Sequence, residues 1–509
     1  MTNKIKIINS NWFIITAYTA LNFIFYFLLP WIQNRTIYFF RWDEATYFYI
    51  YQKIFETGFI PHQLNYIGGI SNYIYPLLYL SLSTIFSLLN SPLDLQIASL
   101  VLQSVLFLTI CISSLIIYKI TWLMTSRSII AFLAGLFYIT LPILSYRLFY
   151  LNATFYANFI GILFLLLFFY YLLQFKKEQK ISFLILSILF YSITLFTHQL
   201  VFMMASIILG IDFLIEVVVE RRLFANIKEK VLYIMAALIF NLGYILKIPL
   251  FNKILSILHI AKYSEFGKEQ VTKVSVGALP PLLPDIIIWA SITAILIIFL
   301  KRKKSLYRIA LFHAFLVSPI FLSKLNIYPP AYFRYDSFYI ITVPILLSYL
   351  ISLINRIRLQ ILVIALIISY FTIRTSSILN GFYFNELSSL GIGLKSLNCS
   401  NTVSYFRIAP WIPVVSNSTN YFAEVDIYND HADKMAKDLT MMSSQVDMKQ
   451  RISMIKKEKI DCIIYEKNIL IVDGFRIKGW EKSRYSDLYN ISKKHYEDNN
   501  LVVFKFKTF

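Results

Sequence analysis

Charge is scarce in this chain of 509 residues: 15% of its side chains are charged, against 58% hydrophobic and 17% aromatic. That ratio excludes a soluble globular protein of this length, whose water-facing shell must be built from polar side chains. Cysteine is nearly absent, and Cys111, Cys399 and Cys462 have no metal-ligand spacing. Cys111 lies in an apolar run and reads as packing, whereas Cys399 and Cys462 both lie in the polar C-terminal region, where they can pair if that region faces an oxidising side. The sequence shows no internal repeat and no low-complexity tract. It also lacks a small-residue cleavage site after its first apolar run, so that run reads as a membrane span rather than a signal peptide.

What is present is a series of apolar runs, near residues 11 to 33, 74 to 90, 95 to 118, 128 to 145, 153 to 175, 181 to 197, 199 to 218, 231 to 249, 284 to 300, 306 to 323, 335 to 353 and 359 to 376. The formal charge of +20 could suggest a nucleic-acid partner. The basic residues fall in short clusters between the runs, however, and membrane topology accounts for that placement without nucleic acid. The connectors KKEQK (176 to 180), RRLFANIKEK (221 to 230), KRKK (301 to 304) and NRIR (355 to 358) agree with one another as cytoplasmic loops. They agree with a cytoplasmic N-terminus only if residues 73 to 89 do not cross. That segment is short, contains Pro76 and is interrupted by Ser and Tyr, which suits a helix on the membrane surface. The expectation is therefore about 11 spans and a first outer loop at about residues 34 to 94. The N-x-[ST] triplets at Asn34, Asn152, Asn398, Asn417 and Asn490 all fall on the outer side of this scheme.

From about Asn380 the composition turns polar. KIDCIIYEKNILIV and NNLVVFKF read as buried strands, and HADKMAKDLTMMSSQVDMKQRISMIKKEK, residues 431 to 459, reads as helical. The expected fold class is mostly α, a polytopic membrane helix bundle over residues 1 to 378 with a small α/β domain outside the membrane over residues 379 to 509.

Asp43 and Glu44 stand side by side in the first outer loop, in RWDEATYFYIYQKIFETG. They begin a helix whose Tyr47, Ile50, Tyr51 and Ile54 share one face. Acids there can cap the helix by accepting from its free amides, and they can also do chemistry. WDEATY followed by a helix ending in Gly, and then by GFIPHQLNYIGGISNYIYPLLYLSL, resembles the first outer loop of the GT-C glycosyltransferases, among them the protein O-mannosyltransferases and the lipid A aminoarabinose transferases. The resemblance implies transfer of a sugar from a polyprenyl (dolichyl or undecaprenyl) phosphate donor to a lipid, glycan or protein acceptor at the outer face of the membrane, with inversion. In that chemistry a carboxylate takes the acceptor's proton and the leaving phosphate is stabilised as an anion. Asp43 is the candidate base, and Glu44 would orient the acceptor or a bound cation.

For the donor phosphate the candidates are Arg334, His198 and Arg147, each at the outer end of an expected span. Arg334, in YPPAYFRYDSFY, is similar in place to an arginine of many GT-C proteins and its planar fork suits a phosphate; pairing with Asp336 or reaching to lipid headgroups is the plainer alternative. His198, in LFTHQLVF, stands where the resembling transferases carry a lysine, and it can equally be a hydrogen-bonded histidine of a tight turn. Tyr47, His62 and Gln199 complete the expected substrate contacts. Many relatives carry an acid in the outer loop after the third span, but residues 145 to 158 contain none. One acidic pair is a poor cage for an oxygen-loving cation, so no metal ligand is assigned and a divalent cation is left open. The loop at about residues 250 to 283 reads as an interfacial connector or a lid bearing Glu265.

Two other readings compete. An oligosaccharyltransferase would share the outline, but PWIPVV (410 to 415) and GWEKSRY (479 to 485) do not match the WWDYG-like motif of that class. A transporter or flippase would place charges inside its spans and pair broken helices through a repeat; the spans here read as nearly free of ionisable residues.

Overall fold

The computed structural model describes residues 11–28, 31–32, 39–40, 95–141, 155–219, 221, 227–240, 285–324, 338–376, 382–404, 411–416, 418–420, 441, 446–466, 486–499 and 501–506. Eleven of the expected apolar runs are helical on these residues. They form α1 (Asn11–Phe23), continued by a π-helical turn at Ile24–Leu28, α2 (Leu95–Thr125), α3 (Ser128–Thr140), α4 (Phe155–Glu178), α5 (Ile181–Thr197) and α6 (Gln199–Val218). The second half of the bundle comprises α7 (Ile227–Phe240), α8 (Asp285–Leu300), α9 (Tyr307–Lys324), α10 (Tyr339–Ile351) and α11 (Ile357–Ser376). Three stretches, Ser104–Thr125, Ile160–Glu178 and Leu200–Val218, are long and apolar enough to cross a membrane by length and composition. Among the described residues the length criterion is met by those three, so the helices stand at the expected runs without fixing the expected count of about 11 spans. The segment at residues 73 to 89, expected on the membrane surface, lies outside the described residues.

Close approach of backbones and shared hydroxyls hold the bundle together. Gly161 of α4 faces α6, and a Cβ there would come within 2.8 Å of Val201 Cγ2. Gly135 of α3 faces α1, where a Cβ would overlap the Tyr18 hydroxyl, which itself donates to the Phe132 carbonyl at 2.8 Å. Small residues let helices approach in an environment where apolar side chains gain little by leaving lipid. Around α5, Tyr233 donates to Ser187 Oγ at 2.8 Å and Ser187 to the Phe168 carbonyl at 3.3 Å, while Tyr191 and Ser206 share a 2.9 Å hydrogen bond. The rings of Phe168, Tyr191 and Tyr233 meet edge-on or tilted with centroids 5.4 to 6.0 Å apart, so α4, α5 and α7 close on one aromatic knot.

Beyond α11 the chain forms a sheet domain. A two-residue strand β2 (Phe382–Tyr383) leads into α12 (Phe384–Ser396), followed by β3 (Asn401–Ser404), the short helix α13 (Ile412–Val415), β4 (Thr419–Asn420), α14 (Met448–Lys457), β5 (Cys462–Glu466), β6 (Lys494–Glu497) and β7 (Leu501–Lys505). Five strands lie in the order β4-β3-β5-β7-β6, with β3 parallel to β4 and β5, and β7 antiparallel to β5 and β6. Leu387, Leu390 and Leu394 of α12 cover one face, sharing a core with Cys462, Ile464, Leu501 and Val503. The other face carries Ile463, Tyr465, Val502 and Phe504, packed with Ile455 of α14. Successive residues of a strand point to opposite faces, and here both faces are covered. That is why CIIY and LVVF read as continuous apolar runs rather than alternating ones.

Of the expected strands, β5 lies in KIDCIIYEKNILIV, whose residues 467 to 472 lie outside the described residues, and β7 lies in NNLVVFKF. The expected helix over 431 to 459 is corrected: its C-terminal part is α14, and the chain is not helical at Val446 and Asp447. The Asp447 carboxylate accepts from the Lys449 amide at 3.1 Å and begins α14 afresh.

Cys399, just beyond α12, is disulfide-bonded to Cys462 in β5, 63 residues away. Closing a loop of that length removes denatured-state entropy worth roughly 4 kcal/mol. Replacing Cys399 and Cys462 by Ser and Ala should therefore lower the thermal midpoint of the sheet domain, and reductant should lower the wild-type midpoint without affecting the double variant. Equal midpoints for wild type and variant under oxidising conditions would refute the stabilising role.

Candidate functional site

Of the residues expected to carry chemistry, Asp43, Glu44, Tyr47, His62, Arg147 and Arg334 lie outside the described residues. What the structure describes is the framework on either side of them. β1 (Phe39–Phe40) ends three residues before Asp43 and pairs antiparallel with β2, Phe39 opposite Tyr383 and Phe40 opposite Phe382. Downstream of Arg334, α10 begins with Phe338 and Tyr339 buried, and the Tyr339 hydroxyl donates to the Leu316 carbonyl of α9 at 3.1 Å.

His198 lies among the described residues. It is the junction of α5 and α6, with extended backbone at φ −164°. Its amide donates to the Thr194 carbonyl at 2.9 Å, ending α5, and its Nδ1 accepts from the Leu200 amide at 3.1 Å, starting α6. Two helices leave amides and carbonyls unpaired at their facing ends, and this one residue satisfies one group of each. The ring is 2% exposed. The geometry shows the cap of the plainer sequence reading and bears on phosphate binding in neither direction, and Gln199 is the first residue of α6.

The structure also brings together charges that the sequence reading passed over. Asp212 and Glu216 lie four residues apart on α6, inside one of the three long spans, at 0% and 2% exposure. Against them stand Lys176 from the last turn of α4, Glu229 and Lys230 from the first turn of α7, and Arg308 from the first turn of α9. Asp212 accepts from Arg308 Nε at 2.7 Å and is bonded to Lys230. Lys176 is bonded to Glu216 and reaches Glu229 at 3.2 Å and Asp212 at 3.8 Å, while Lys230 lies 3.7 Å from Glu216. Among the described residues, three cations thus face three anions across four helices, at the ends that carry the basic connectors. The expectation of spans nearly free of ionisable residues is corrected accordingly. The signal was the pair of acids four apart in LGIDFLIEVVVE, a spacing that puts both on one helix face.

No family model and no curated protein matches this chain. Solved structures do resemble it in fold. The oligosaccharyltransferase of Archaeoglobus fulgidus in its apo form superposes with a TM-score of 0.58 at 13% identity, over 89% of this chain and 69% of that one. The same archaeal oligosaccharyltransferase, AglB, in complex with an inhibitory peptide and a dolichol-phosphate gives 0.57 at 12% identity over 89% and 69%. The form tethered through a disulfide to an acceptor peptide containing the NVT sequon gives 0.59 at 11% over 89% and 68%. At this identity the likeness establishes the fold, a helical membrane bundle with a small sheet.

Neutrality makes the members of the ion cluster interdependent. Removing one partner of a buried pair leaves an uncompensated charge and costs about 3 to 5 kcal/mol. Asp212→Asn should therefore lower the thermal midpoint in detergent sharply, whereas Asp212→Asn combined with Lys230→Met, which restores the balance, should recover most of the loss. A single variant as stable as wild type would show that the cluster is solvated rather than paired.

Proposed function

We propose that this chain is a membrane glycosyltransferase of the GT-C kind that transfers a glycan from a polyprenyl-linked donor to an acceptor outside the cytoplasm, as an oligosaccharyltransferase does. The observation that carries this is the likeness of fold to AglB across 89% of the chain, which takes in both the helical bundle and the sheet domain. Those neighbouring structures hold a dolichol-phosphate and an acceptor peptide, which supports a lipid-linked donor and a protein acceptor here. The disulfide between Cys399 and Cys462 supports an extracytoplasmic sheet domain, since such bonds persist in oxidising compartments. With the basic connectors inside, the ion cluster lies at the cytoplasmic end of the bundle and the acid-bearing loop at the other end.

In this reading Asp43 takes the proton of the acceptor's nucleophilic group as that group bonds to the sugar C1. The bond from C1 to the donor phosphate oxygen breaks, and the configuration at C1 inverts. The phosphate departs with the electron pair, beside Arg334, with Arg147 and His198 as further donors of hydrogen bonds. Glu44, Tyr47, His62 and Gln199 contact the substrates. Among the described residues no group of three His, Cys, Asp or Glu could hold a metal ion, and no step is assigned to one.

One observation favours a second reading, transfer of a single sugar from a polyprenyl phosphate. The segment at 410 to 415 lacks the WWDYG-like motif, and its Trp411 is fully buried in the hydrophobic core rather than presented to an acceptor.

Purified membranes given labelled dolichyl- or undecaprenyl-linked oligosaccharides and, separately, polyprenyl phosphate monosaccharides, each with a sequon peptide, distinguish the two. The expected result is transfer from an oligosaccharide donor, reduced at least about a hundredfold by Asp43→Asn. Transfer from the monosaccharide donors alone selects the second reading. Full activity in Asp43→Asn reduces the acid pair to a helix cap, and silence with every donor removes the glycosyltransferase reading.

A further inference from the structure

Of the five N-x-[ST] triplets, those at Asn398 and Asn490 lie wholly among the described residues, and the function proposed above uses neither. Asn490 ends a 3₁₀ helix (Ser486–Asn490) that leads into β6. Two residues anchor that helix: Leu488 is fully buried, and the Tyr489 ring meets those of Phe504 and His495 at centroid distances of 4.9 and 5.0 Å. The Tyr489 hydroxyl also donates to Glu497 of β6 at 2.5 Å. Asn490, the next residue, is exposed, and among the described residues nothing bonds to its side-chain amide. The third residue of the triplet, Ser492, is half-buried and donates to the Tyr489 carbonyl at 3.4 Å. A group attached at Asn490 Nδ2 therefore displaces no packing and breaks no hydrogen bond.

The place of Asn490 matters for the sheet. β6 stands at one end of the order β4-β3-β5-β7-β6, and its side chains are largely exposed. A free edge strand is a template for pairing with another chain, and a bulky, hydrophilic group beside it obstructs that pairing. Asn490 precedes Lys494, the first residue of β6, by four positions, so covalent geometry keeps its Cα within about 14 Å of the edge. The triplet at Asn398 is placed differently. Its Cys399 is in the disulfide, and the Asp461 carboxylate accepts from the Ser400 and Asn401 amides at 2.9 and 2.8 Å. It leads into β3, which has a strand on either side and no edge to shield.

We propose that Asn490 is an N-glycosylation site whose glycan shields the β6 edge. The triplet supplies the acceptor amide and, two residues on, the hydroxyl that such transfer requires. The donor class is a polyprenyl-linked glycan. Asn490 Nδ2 bonds to C1 of the first sugar, the bond from C1 to the carrier's phosphate oxygen breaks, and the phosphate keeps the electron pair. One proton of the amide passes to a base of the transferring enzyme. The inference rests on the extracytoplasmic placement of the sheet domain, not on this chain being the transferase, because any oligosaccharyltransferase of the same compartment supplies the step.

The test uses the full-length protein purified from membranes of a host that carries out N-glycosylation, digested without reduction and analysed by mass spectrometry. The wild-type peptide spanning residues 485 to 493 should carry a glycan on Asn490. Asn490→Gln and Ser492→Ala should both lack it, and Ser492→Thr should retain it. Both glycan-free variants, and wild type after enzymatic removal of the glycan, should show a larger oligomeric fraction in detergent than intact wild type. An unmodified Asn490 in wild type whose Cys399–Cys462 peptide is disulfide-linked overturns the proposal while leaving the placement of the sheet domain standing. If glycan and disulfide are both missing, the placement fails and the proposal with it. A glycan that persists in Ser492→Ala refutes modification through the triplet, and an oligomeric fraction indifferent to the glycan refutes the shielding. Silence in the transfer assay above does not touch these outcomes, since the host supplies its own transferase.

Discussion

A lipid interior offers no water to a polar group, and the described structure is organised around that constraint. Helices satisfy their own backbones, and the hydroxyls within them turn back on the same ladder. Thr109, Thr121, Thr125 and Thr140 each donate to the carbonyl four residues earlier. Charges have no such local solution, because a carboxylate on an isolated span costs about 2.5 to 3.5 kcal/mol at the helix centre even on lenient scales. Asp212 and Glu216 can be carried by α6 because α4, α7 and α9 bring Lys176, Lys230 and Arg308 to them. The same requirement fixes the four helices in rotation and in register, since a turn of any one would strand a charge.

The two ends of the bundle are secured differently. At the end of the basic connectors the ties are ionic and between side chains. At the other end they are backbone and covalent: His198 closes one helix and opens the next, and β1 pairs with β2. Ion pairs near a membrane boundary restrict lateral arrangement, whereas a ladder and a disulfide restrict distance along the chain.

Much of the fold was legible in the sequence, and for a plain reason. An apolar run of about 20 residues has few options in lipid, so among the described residues eleven helices fall where hydropathy put them. Strands β5 and β7 were legible because both faces of the sheet are covered, which makes CIIY and LVVF uniformly apolar. The break before α14 was not, because Asp447 looks like any other polar residue of that stretch until its carboxylate is seen to cap the Lys449 amide. The ion cluster was missed for a related reason: each charge, taken alone, resembled a residue at the edge of a span, and only the spacing of Asp212 and Glu216 pointed inward. The β1–β2 ladder had no local signature, since two aromatic pairs far apart in sequence say nothing about each other. For the candidate site, His198 was found with both readings attached, and its geometry shows the cap without bearing on the other. The remaining candidates rest on the short WDEATY motif and on similarity in place.

The likeness to an oligosaccharyltransferase and the missing WWDYG-like motif are compatible once fold and site are separated. A fold fixes how helices and a sheet are arranged; the side chains of a site decide what is accepted. In this chain the tryptophan nearest the expected motif, Trp411, is wholly buried with Ile412 in the core beneath the sheet domain. An indole packed there contributes its large apolar surface to the domain's stability and leaves none of it for an acceptor. The likeness therefore speaks for the fold. The use made of Trp411 argues that acceptor recognition, if it occurs on this domain, relies on other residues than those of the familiar motif.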